Sequence, residues 1–336
     1  MSVNTVSTLT ATQQFLLDKT TLARAIPKLQ HAKFGQQRNL KRANGTKIKF
    51  TRFNALPPNT TPLMESVTPV GNTVTRTFVE ATVQEYGAYV EIGSLLANTD
   101  PFPVLTEETK VVGEQAGQSI DAITRDILVA GTNVQYANGV STRGAVAACL
   151  SEADLRKAIR NLARQNANDI TEQLNASTGI GTVPVKAAFV AIIHPDFTAA
   201  LSNATNFPGF IPVEKYGRQM TIMDGEVGAW NRIRFVESTQ AKVFADVGAA
   251  VGATGQISTS GTLIDVYVTL LLGADAYGTT ELDGKGMENI VKGLGSGGTS
   301  DPLNQRATTG WKSTYTAEIL NDAWMLRLEH GCPVAP

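Results

Sequence analysis

The side chains that usually carry enzyme chemistry are few and scattered in this chain of 336 residues. The three histidines are His31, His194 and His330, and no two of them have the close spacing of paired zinc ligands. His194 precedes Pro195, where a strand pattern gives way to a helix pattern, so we interpret it as stabilising a turn. The histidines therefore predict neither a zinc hydrolase nor an acid–base catalyst.

Motifs for nucleophiles and phosphates are missing from the sequence. There is no Gly-x-Ser-x-Gly elbow and no phosphate loop ending in Gly-Lys-Ser or Gly-Lys-Thr. Gly293, Gly295 and Gly298 fit the pattern G-x-G-x-x-G, in which a glycine-rich turn presents a phosphate to a helix N-terminus. The residues that follow, TSDPLNQ, do not open such a helix, so the segment is interpreted as a flexible loop.

Neighbouring acids and the two cysteines also lack the spacing of a reactive site. Glu107 and Glu108 are adjacent, and adjacent residues on a helix point about 100° apart. They are therefore interpreted as solvated charges that compensate the helix dipole. Cys149 and Cys332 are far apart in sequence and lack metal-ligand spacing, which favours folding in a reducing compartment. We expect no catalytic residue, no metal site and no cofactor.

The bulk composition is that of an ordinary folded protein. Hydrophobic residues make up 42% and charged residues 18%, and the length allows two domains or one large elaborated domain. The N-terminus has no basic start followed by an apolar stretch, so we expect no signal peptide. The longest apolar run, near VYVTLLLGADAY, is too short to span a bilayer, so we expect no membrane partner.

Charge is segregated along the chain although the net charge is only −1. Ten Lys or Arg and no Asp or Glu lie between Lys19 and Arg52, which leaves 19 basic and 30 acidic residues elsewhere. This stretch either binds an acidic partner or nucleic acid, or is a solvated surface. Its few aromatic residues and the absence of an RNA-binding signature argue against sequence-specific recognition. The candidate residues of this basic arm are Arg24, Lys28, Lys33, Arg38, Lys41 and Arg42.

Two alternating segments around a proline-rich stretch predict a long β-hairpin. Ile48 and Phe50 alternate with lysines in the first strand, and Val79 and Ala81 share a face in the second. Ten extended residues reach about 33 Å, and a two-stranded ribbon is marginal alone in water. The stretch between the strands reads LPPNTTPLMESVTPVG and contains four prolines, which limit its freedom. We therefore expect this arm to rest on something outside its own strands.

The clearest helix pattern covers about residues 103–130. At 1.5 Å per residue it forms a rod of about 40 Å. An apolar stripe follows the helical period and comprises Leu105, Val112, Ala116, Ile120, Ile123 and Ile127. The opposite face is expected to be acidic and solvated, with Glu107, Glu114 and Asp121 as a target for the basic arm of a neighbouring subunit.

Helices and strands are mixed in the remainder without regular alternation, which predicts an α+β fold. Ser151 followed by Asp154 forms a capping box for a second helix. Residues 189–193 read as a buried strand that leads into a helix at His194 and Pro195. The segments NRIRFVESTQAKVF, LIDVYVTLLLGADAYG and WKSTYTAEILNDAWMLRLEHG read largely as strands, and residues 247–262 as a loop.

The order of these elements resembles the Hong Kong 97-type (HK97-like) fold of tailed-phage major capsid proteins, and more closely the N4-type family of them. The resemblance covers most of residues 20–330, in family order. It is carried by FGQQRNLKRANGTKIKFTRFNALPPNTTPLMESVTP, LTEETKVVGEQAGQSIDAITRDILVAGTNVQYANG, DLRKAIRNLARQN, FVAIIHPD, GEVGAWNRIRFVEST and DPLNQRATTGWKSTYTAEILNDAWMLRLE.

The resemblance implies a division of the chain into structural units. These are an N-terminal arm (1–45), an extended β-hairpin loop (46–92), a peripheral domain with a spine helix (93–166 and 301–336) and an axial domain (167–300). The extended loop is expected to lie across a neighbouring subunit. Its tip contacts would be Leu56, Pro57, Pro58, Pro62 and Met64.

The implied function is assembly and not catalysis. The chain is expected to form hexamers and pentamers of an icosahedral virion shell, after synthesis in the host cytoplasm. Portal and scaffold or decoration proteins, and enclosed double-stranded DNA bound without sequence specificity, are the expected partners. A lysine–asparagine cross-link is not expected, because no catalytic Glu and Asn partner is identifiable. The alternatives are an encapsulin-like shell around cargo enzymes, an enzyme with an unrecognised site, and a DNA-binding protein with steep salt dependence.

Overall fold

The computed structural model describes residues 30–65, 68–99, 104–176, 182–203, 206–217, 222–252, 255–283, 286–298 and 301–334. Its helices are α1 (Ser94–Thr99), α2 (Val104–Val129), α3 (Glu152–Arg164) and α4 (Pro195–Ser202). Its strands are β1 (Gln36–Leu40), β2 (Lys47–Phe53), β3 (Arg76–Thr82), β4 (Gln84–Gly93), β5 (Val134–Tyr136), β6 (Phe189–Ile193), β7 (Ile211–Pro212), β8 (Glu226–Trp230), β9 (Ile233–Glu237), β10 (Val243–Phe244), β11 (Val266–Leu272), β12 (Tyr277–Leu282), β13 (Met287–Lys292), β14 (Arg306–Ile319) and β15 (Met325–His330). The predicted α+β class is confirmed.

A five-stranded sheet is organised around the long strand β14. Strand β4 pairs along one edge of β14, from Arg306 opposite Gly93 to Tyr315 opposite Gln84. Strands β12 and β13 follow one another along the other edge, and β1 joins β12 in parallel. One face of this sheet is covered by α2, whose apolar stripe packs against the buried ring of Trp311.

An eight-stranded sheet forms the second layer, in the order β5-β15-β11-β6-β9-β8-β7, with β10 paired to β11. Every residue of β6 is buried, as the predicted apolar strand requires. Helices α3 and α4 cover one face through Leu155, Leu162 and Phe197. The C-terminal end of α2 packs through Leu128 on strand β11. Helix α2 therefore contacts both sheets and fixes their relative position.

The predicted caps and turns are confirmed. The amide of Asp154 donates to Ser151 Oγ at 3.3 Å, and the Ser151 amide donates to Asp154 Oδ2 at 3.1 Å, which completes the capping box of α3. His194 is the N-cap of α4, where its Nδ1 accepts from the Asp196 amide. The glycine-rich segment 293–298 forms turns. Residues 31–34 form a turn that leads towards β1.

The predicted hairpin is confirmed, but its return strand is divided. Strands β2 and β3 pair in register from Lys47 opposite Thr82 to Phe53 opposite Arg76. The Val83 amide donates to the Thr46 carbonyl at 2.9 Å and closes this ribbon. The next residues belong to β4 and therefore to the five-stranded sheet. The arm thus covers residues 46–83, a shorter segment than the 46–92 of the sequence prediction.

The two sheets do not follow the predicted bounds of the peripheral and axial domains. Strands β12 and β13 lie within 167–300 but pair with β14, which lies within 301–336. Strand β15 also lies within 301–336, yet it pairs with β11 in the other sheet. The C-terminal segment therefore contributes one strand to each sheet. A division by sheet places 277–292 with β14.

Candidate assembly surface

Phe50 anchors the arm to the body of the molecule. Phe50 is only 4% exposed, whereas its neighbours in β2 are largely exposed. Its ring lies over Gly278 of β12, where an added Cβ would stand 2.8 Å from Phe50 Cζ. The Arg38 guanidinium lies 5.5 Å from the ring centroid, close enough for a cation–π contact. The absence of a side chain at position 278 thus leaves space for this anchor.

The outer face of the arm divides into a charged base and an aromatic distal half. At the base, Lys49 Nζ lies 2.8 Å from Glu80 Oε1. The hydrogen bond and charge of Lys49 lower the pKa of Glu80 below its usual range. Farther out, Arg76 stacks over Phe53, and Phe78 is exposed beside them. A distal half of this kind presents apolar area that the chain itself leaves in water.

The five predicted tip contacts lie together in one exposed segment. Residues 54–65 and 68–75 contain no helix or strand, and the segment holds Leu56, Pro57, Pro58, Pro62 and Met64. Leu63 and Met64 are 74% and 76% exposed, and Val70 is 94% exposed. Large apolar side chains with this exposure gain nothing from folding of the monomer.

A groove opens on the face of the five-stranded sheet that faces away from α2. Its volume is about 540 Å³, and Tyr89, Ile290 and Gly310 are among its lining residues. Gly310 adds no side chain, so backbone forms part of the floor. Lys312 and Glu85 pair across its rim at 3.0 Å. The groove is apolar in its centre and charged at its margin, as protein–protein contact surfaces are.

The acidic face predicted for α2 is wrong at one of its three positions. Glu107 is exposed and pairs with Lys110 in the same helix, and Glu114 is half-buried. Asp121 is buried, with 0% of the residue exposed. Its oxygens accept from the backbone N of His31 at 2.7 Å and from His31 Nδ1 at 2.6 Å. The segment around residue 31 crosses the helix there, so Asp121 is a structural acceptor and not a solvated target.

The described members of the basic arm have different roles within the chain. Lys33 Nζ pairs with Asp224 at 3.0 Å, and Arg42 Nε donates to the Asp283 carbonyl. Arg38 lies on the Phe50 ring, and Lys41 is exposed. Arg24 and Lys28 lie outside the described residues. Binding of these cations to another subunit therefore stays a prediction.

Several residues of this surface were missed by the sequence reasoning. The seat of Phe50 on Gly278 depends on a strand 228 positions away, and no local pattern indicates it. Phe53 and Phe78 did carry a signal, because exposed aromatic residues in a two-stranded ribbon have nothing to pack on. The groove combines residues from β4, β13 and β14, which only the sheet pairing brings together.

One cysteine–histidine pair has the residue types of a nucleophile and base. Cys332 Sγ lies 3.8 Å from His330 Nδ1, and both side chains are buried. Burial raises the pKa of Cys332 far above its usual range and lowers the pKa of His330 to about 4. A catalytic thiol needs the opposite shift, toward the thiolate. The pair therefore remains neutral and is not a nucleophilic site.

Acidification is expected to destabilise the protein through His330. Its Nδ1 donates to the Gly331 carbonyl, so Nε2 accepts from Thr269 Oγ1 at 2.9 Å, and the ring is held neutral. Its pKa is about 4 in the folded protein and 6.5 when exposed, so between these values the unfolded chain binds more protons. This group's contribution to stability is complete above pH 6.5 and falls by ~1.4 kcal/mol per pH unit towards pH 4.

The measurement is urea unfolding of wild type and His330→Gln over this pH range. The difference between the two free energies isolates the histidine from the carboxyl groups that also titrate. A difference that does not change with pH would contradict the assignment. His194→Gln is the control, because His194 is partly exposed at a helix cap.

Two features of the described part of the chain bear on other classes of protein, metalloproteins and proteins with membrane-spanning helices. No three His, Cys, Asp or Glu side chains in it converge as metal ligands would. Within the same residues, no helix combines the length and apolarity needed to cross a bilayer.

A spine helix that contacts two sheets, together with a projecting arm, is the arrangement of the HK97-like fold. The sequence matches the model of the phage capsid protein family over residues 8–292, so the chain belongs to that family. Proteins of this family are structural, in agreement with the expectation that the chain is not an enzyme.

Solved structures show the same fold at low sequence identity. The capsid of Ralstonia phage GP4 is 11% identical, with 90% of this chain and 88% of that chain covered and a TM-score of 0.64. The capsid of cyanophage P-SCSP1u is 15% identical, with coverages of 88% and 86% and a TM-score of 0.59. The encapsulin SrpI of Synechococcus elongatus is 9% identical, with coverages of 98% and 90% and a TM-score of 0.52. No curated protein sequence matches this chain.

The resemblance noted from the sequence is therefore confirmed for the phage capsid family and the HK97-like fold. Assignment to the N4-type family stays a prediction.

Proposed function

We propose that this chain is the major capsid protein of a tailed double-stranded DNA phage and that its arm holds neighbouring subunits together. The observation that carries the proposal is the exposed tip, with Leu63 and Met64 about three-quarters in water. Burying two such side chains yields about 3–6 kcal/mol, which the monomer does not gain. In an icosahedral shell, every tip has a second copy of the chain beside it that can cover these side chains.

The direction of the arm favours docking on another copy. Strand β3 leads into β4 through Val83 alone, so the tip lies beyond the Gln84 end of β4. Seven residues of β3 carry it a further ~23 Å outward. The groove at Tyr89 and Ile290 lies along β4 itself, so the groove of a neighbouring subunit is the more accessible one. We assign the tip of one copy to the groove of the next.

Such a contact is heterologous, because it joins two different surfaces of the same chain. Repeated around an axis it closes into rings, and rings that curve close into a shell. We propose hexamers and pentamers in an icosahedral virion capsid. Each subunit makes several weak contacts at once, and multivalency makes the whole stable. Prolines in the tip reduce the entropy lost when it docks.

The finer assignments follow from the same proposal. The five-stranded sheet with α2 would form the peripheral domain, and the loop-rich part of 167–276 the axial domain near the five- and six-fold axes. The chain would be made in the host cytoplasm, would meet portal and scaffold or decoration proteins, and would enclose DNA without reading its sequence. Its low net charge gives only a weak overall attraction for phosphate, which suits a shell whose DNA must later leave.

Closed shells or capsomer rings are the expected result when the purified chain is concentrated at several salt concentrations. Negative-stain electron microscopy checks this, with analytical ultracentrifugation to quantify the assembled fraction. Mass action favours assembly at high subunit concentration. A chain that stays monomeric throughout this range would contradict the proposal.

An encapsulin-like shell is the second candidate, because the encapsulin structure covers 98% of this chain. The contents of shells purified from the native source separate the two. Packaged double-stranded DNA supports the phage capsid, whereas a packaged enzyme supports the encapsulin.

A further inference from the structure

Helix α3 carries four cations on one exposed face. They are Arg156, Lys157, Arg160 and Arg164, and all four are exposed. With about 100° of rotation per residue, these positions fall within an arc of about 100° on the helix surface. The buried side chains of the helix, Leu155 and Leu162 among them, lie on the other side. We call these four residues the α3 cation face.

Most of this charge has no partner among the residues that the structure describes. Arg156 Nε donates to Glu152 Oε1 at 2.6 Å, and its guanidinium lies 5.7 Å from the Trp230 ring. Lys157, Arg160 and Arg164 have no ion pair or side-chain hydrogen bond to any residue that the structure describes. All three residues are exposed, so they bury little surface in the fold. They therefore contribute nothing visible to the packing of the fold.

The arrangement is costly for the helix itself. Arg156, Arg160 and Arg164 are spaced i, i+4, and like charges at this spacing destabilise a helix by about 0.2–0.5 kcal/mol per pair. The helix dipole offsets this for Arg164, which lies in the last turn. It does little for Lys157 and Arg160 in the middle of the helix. An anionic partner outside the chain would remove the repulsion.

We propose that the α3 cation face contacts the phosphate backbone of duplex DNA. Cations one helical turn apart are about 6 Å from one another, and duplex DNA presents one phosphate charge per ~1.7 Å of axis. Guanidinium groups bind phosphate oxygens through two parallel hydrogen bonds. Trp230, the aromatic ring beside this face, is only 3% exposed and cannot stack on unpaired bases, so the backbone is what the face recognises.

This inference rests on the proposed function, because an enclosed genome is the source of the DNA. Three or four contacts per subunit are weak singly and add up over a shell. Because the net charge of the chain is −1, the rest of its surface adds no general attraction for DNA to these contacts. The contact carries no sequence information, since backbone contacts position a protein without reading bases.

The test compares two triple variants that remove equal charge. Lys157→Gln, Arg160→Gln and Arg164→Gln change the face, and Arg156 is kept because it contacts Trp230. The control changes three exposed cations elsewhere to Gln: Lys186, Lys215 and Arg306. Fluorescence anisotropy measures binding of unassembled protein to two duplexes of unrelated sequence across a salt series. Circular dichroism melting establishes that each variant is folded.

The face variant is expected to bind both duplexes more than tenfold more weakly at low salt. The slope of log K against log salt should become shallower by about 2–3, at ~0.9 per lost phosphate contact. The control should retain the wild-type slope. Equal losses in both variants, no duplex binding by wild type at the lowest salt, or tighter binding to polyglutamate than to DNA would each overturn the proposal.

Failure of this inference is distinguishable from failure of the proposed function. Binding is read on unassembled protein, whereas assembly is read by electron microscopy of the same variants. Shells that form normally with no DNA contact at α3 would remove only this inference. If the chain binds DNA through α3 but never assembles, the capsid proposal is wrong and the α3 cation face is still a DNA-binding surface.

Discussion

Shells should no longer form when Leu63 and Met64 are both replaced by serine. The two side chains are 74% and 76% exposed in the monomer, so their loss leaves its fold unaffected. In an assembled shell they would be buried in the groove of a neighbour, and each is worth about 1.5–3 kcal/mol there. The loss recurs at every arm, so a modest change per contact abolishes closure.

The measurement is the assembled fraction by ultracentrifugation, beside the melting temperature of the unassembled chain. We expect the assembled fraction to fall below a tenth of the wild-type value and the melting temperature to be unchanged. Thr60→Ser with Thr61→Ser is the matched control, because it alters two exposed residues of the same tip without changing their polarity. Normal shells from the Leu63 and Met64 variant would show that the tip is not an assembly contact.

Elements with a strong local period were predictable from the sequence. Helix α2 ends within one residue of each predicted bound, because its apolar stripe keeps the helical period over seven turns. The capping box of α3 was also found, since it depends on two residues three positions apart. The alternation of β2 and β3 indicated their pairing, and the burial of Phe50 and Ala81 on one face agrees with it.

Strand partners were not predictable in the same way. Alternation has a period of two in a free arm and in a half-exposed sheet, so nothing local marks Val83 as the boundary between β3 and β4. Strand β1 was missed because its parallel pairing with β12 joins Gln36 to Gly278. Such pairings depend on tertiary contacts that dominate over local propensity.

The same distinction between local sequence pattern and tertiary contact applies to the candidate assembly surface. The exposed tip followed from composition, because prolines and scattered apolar residues cannot form a core. The groove and the seat of Phe50 required the sheet. Asp121 was misplaced because its position next to the apolar stripe says nothing of what crosses the helix, and its partner His31 lies 90 positions away.

Replacing Asp121 by alanine should destabilise the unassembled protein by about 2–5 kcal/mol. The carboxylate accepts two hydrogen bonds from His31, one from the backbone and one from the ring, and neither donor can reach water in its place. The Tyr277 hydroxyl donates to the His31 carbonyl and accepts from the Phe34 amide at 3.1 Å. Loss of Asp121 therefore loosens the whole segment that connects the N-terminal arm to the spine helix.

Asp126→Ala is the matched control for this effect. Asp126 lies in the same helix, is exposed and pairs with Arg125 and Lys242, so its loss should cost about 1 kcal/mol or less. Urea unfolding measures both variants, and a double-mutant cycle with His31→Ala should return a coupling of about 1–3 kcal/mol. Equal stability losses in the two aspartate variants would mean that Asp121 is solvated after all. In that case the acidic face of α2 would again be available to a neighbouring subunit.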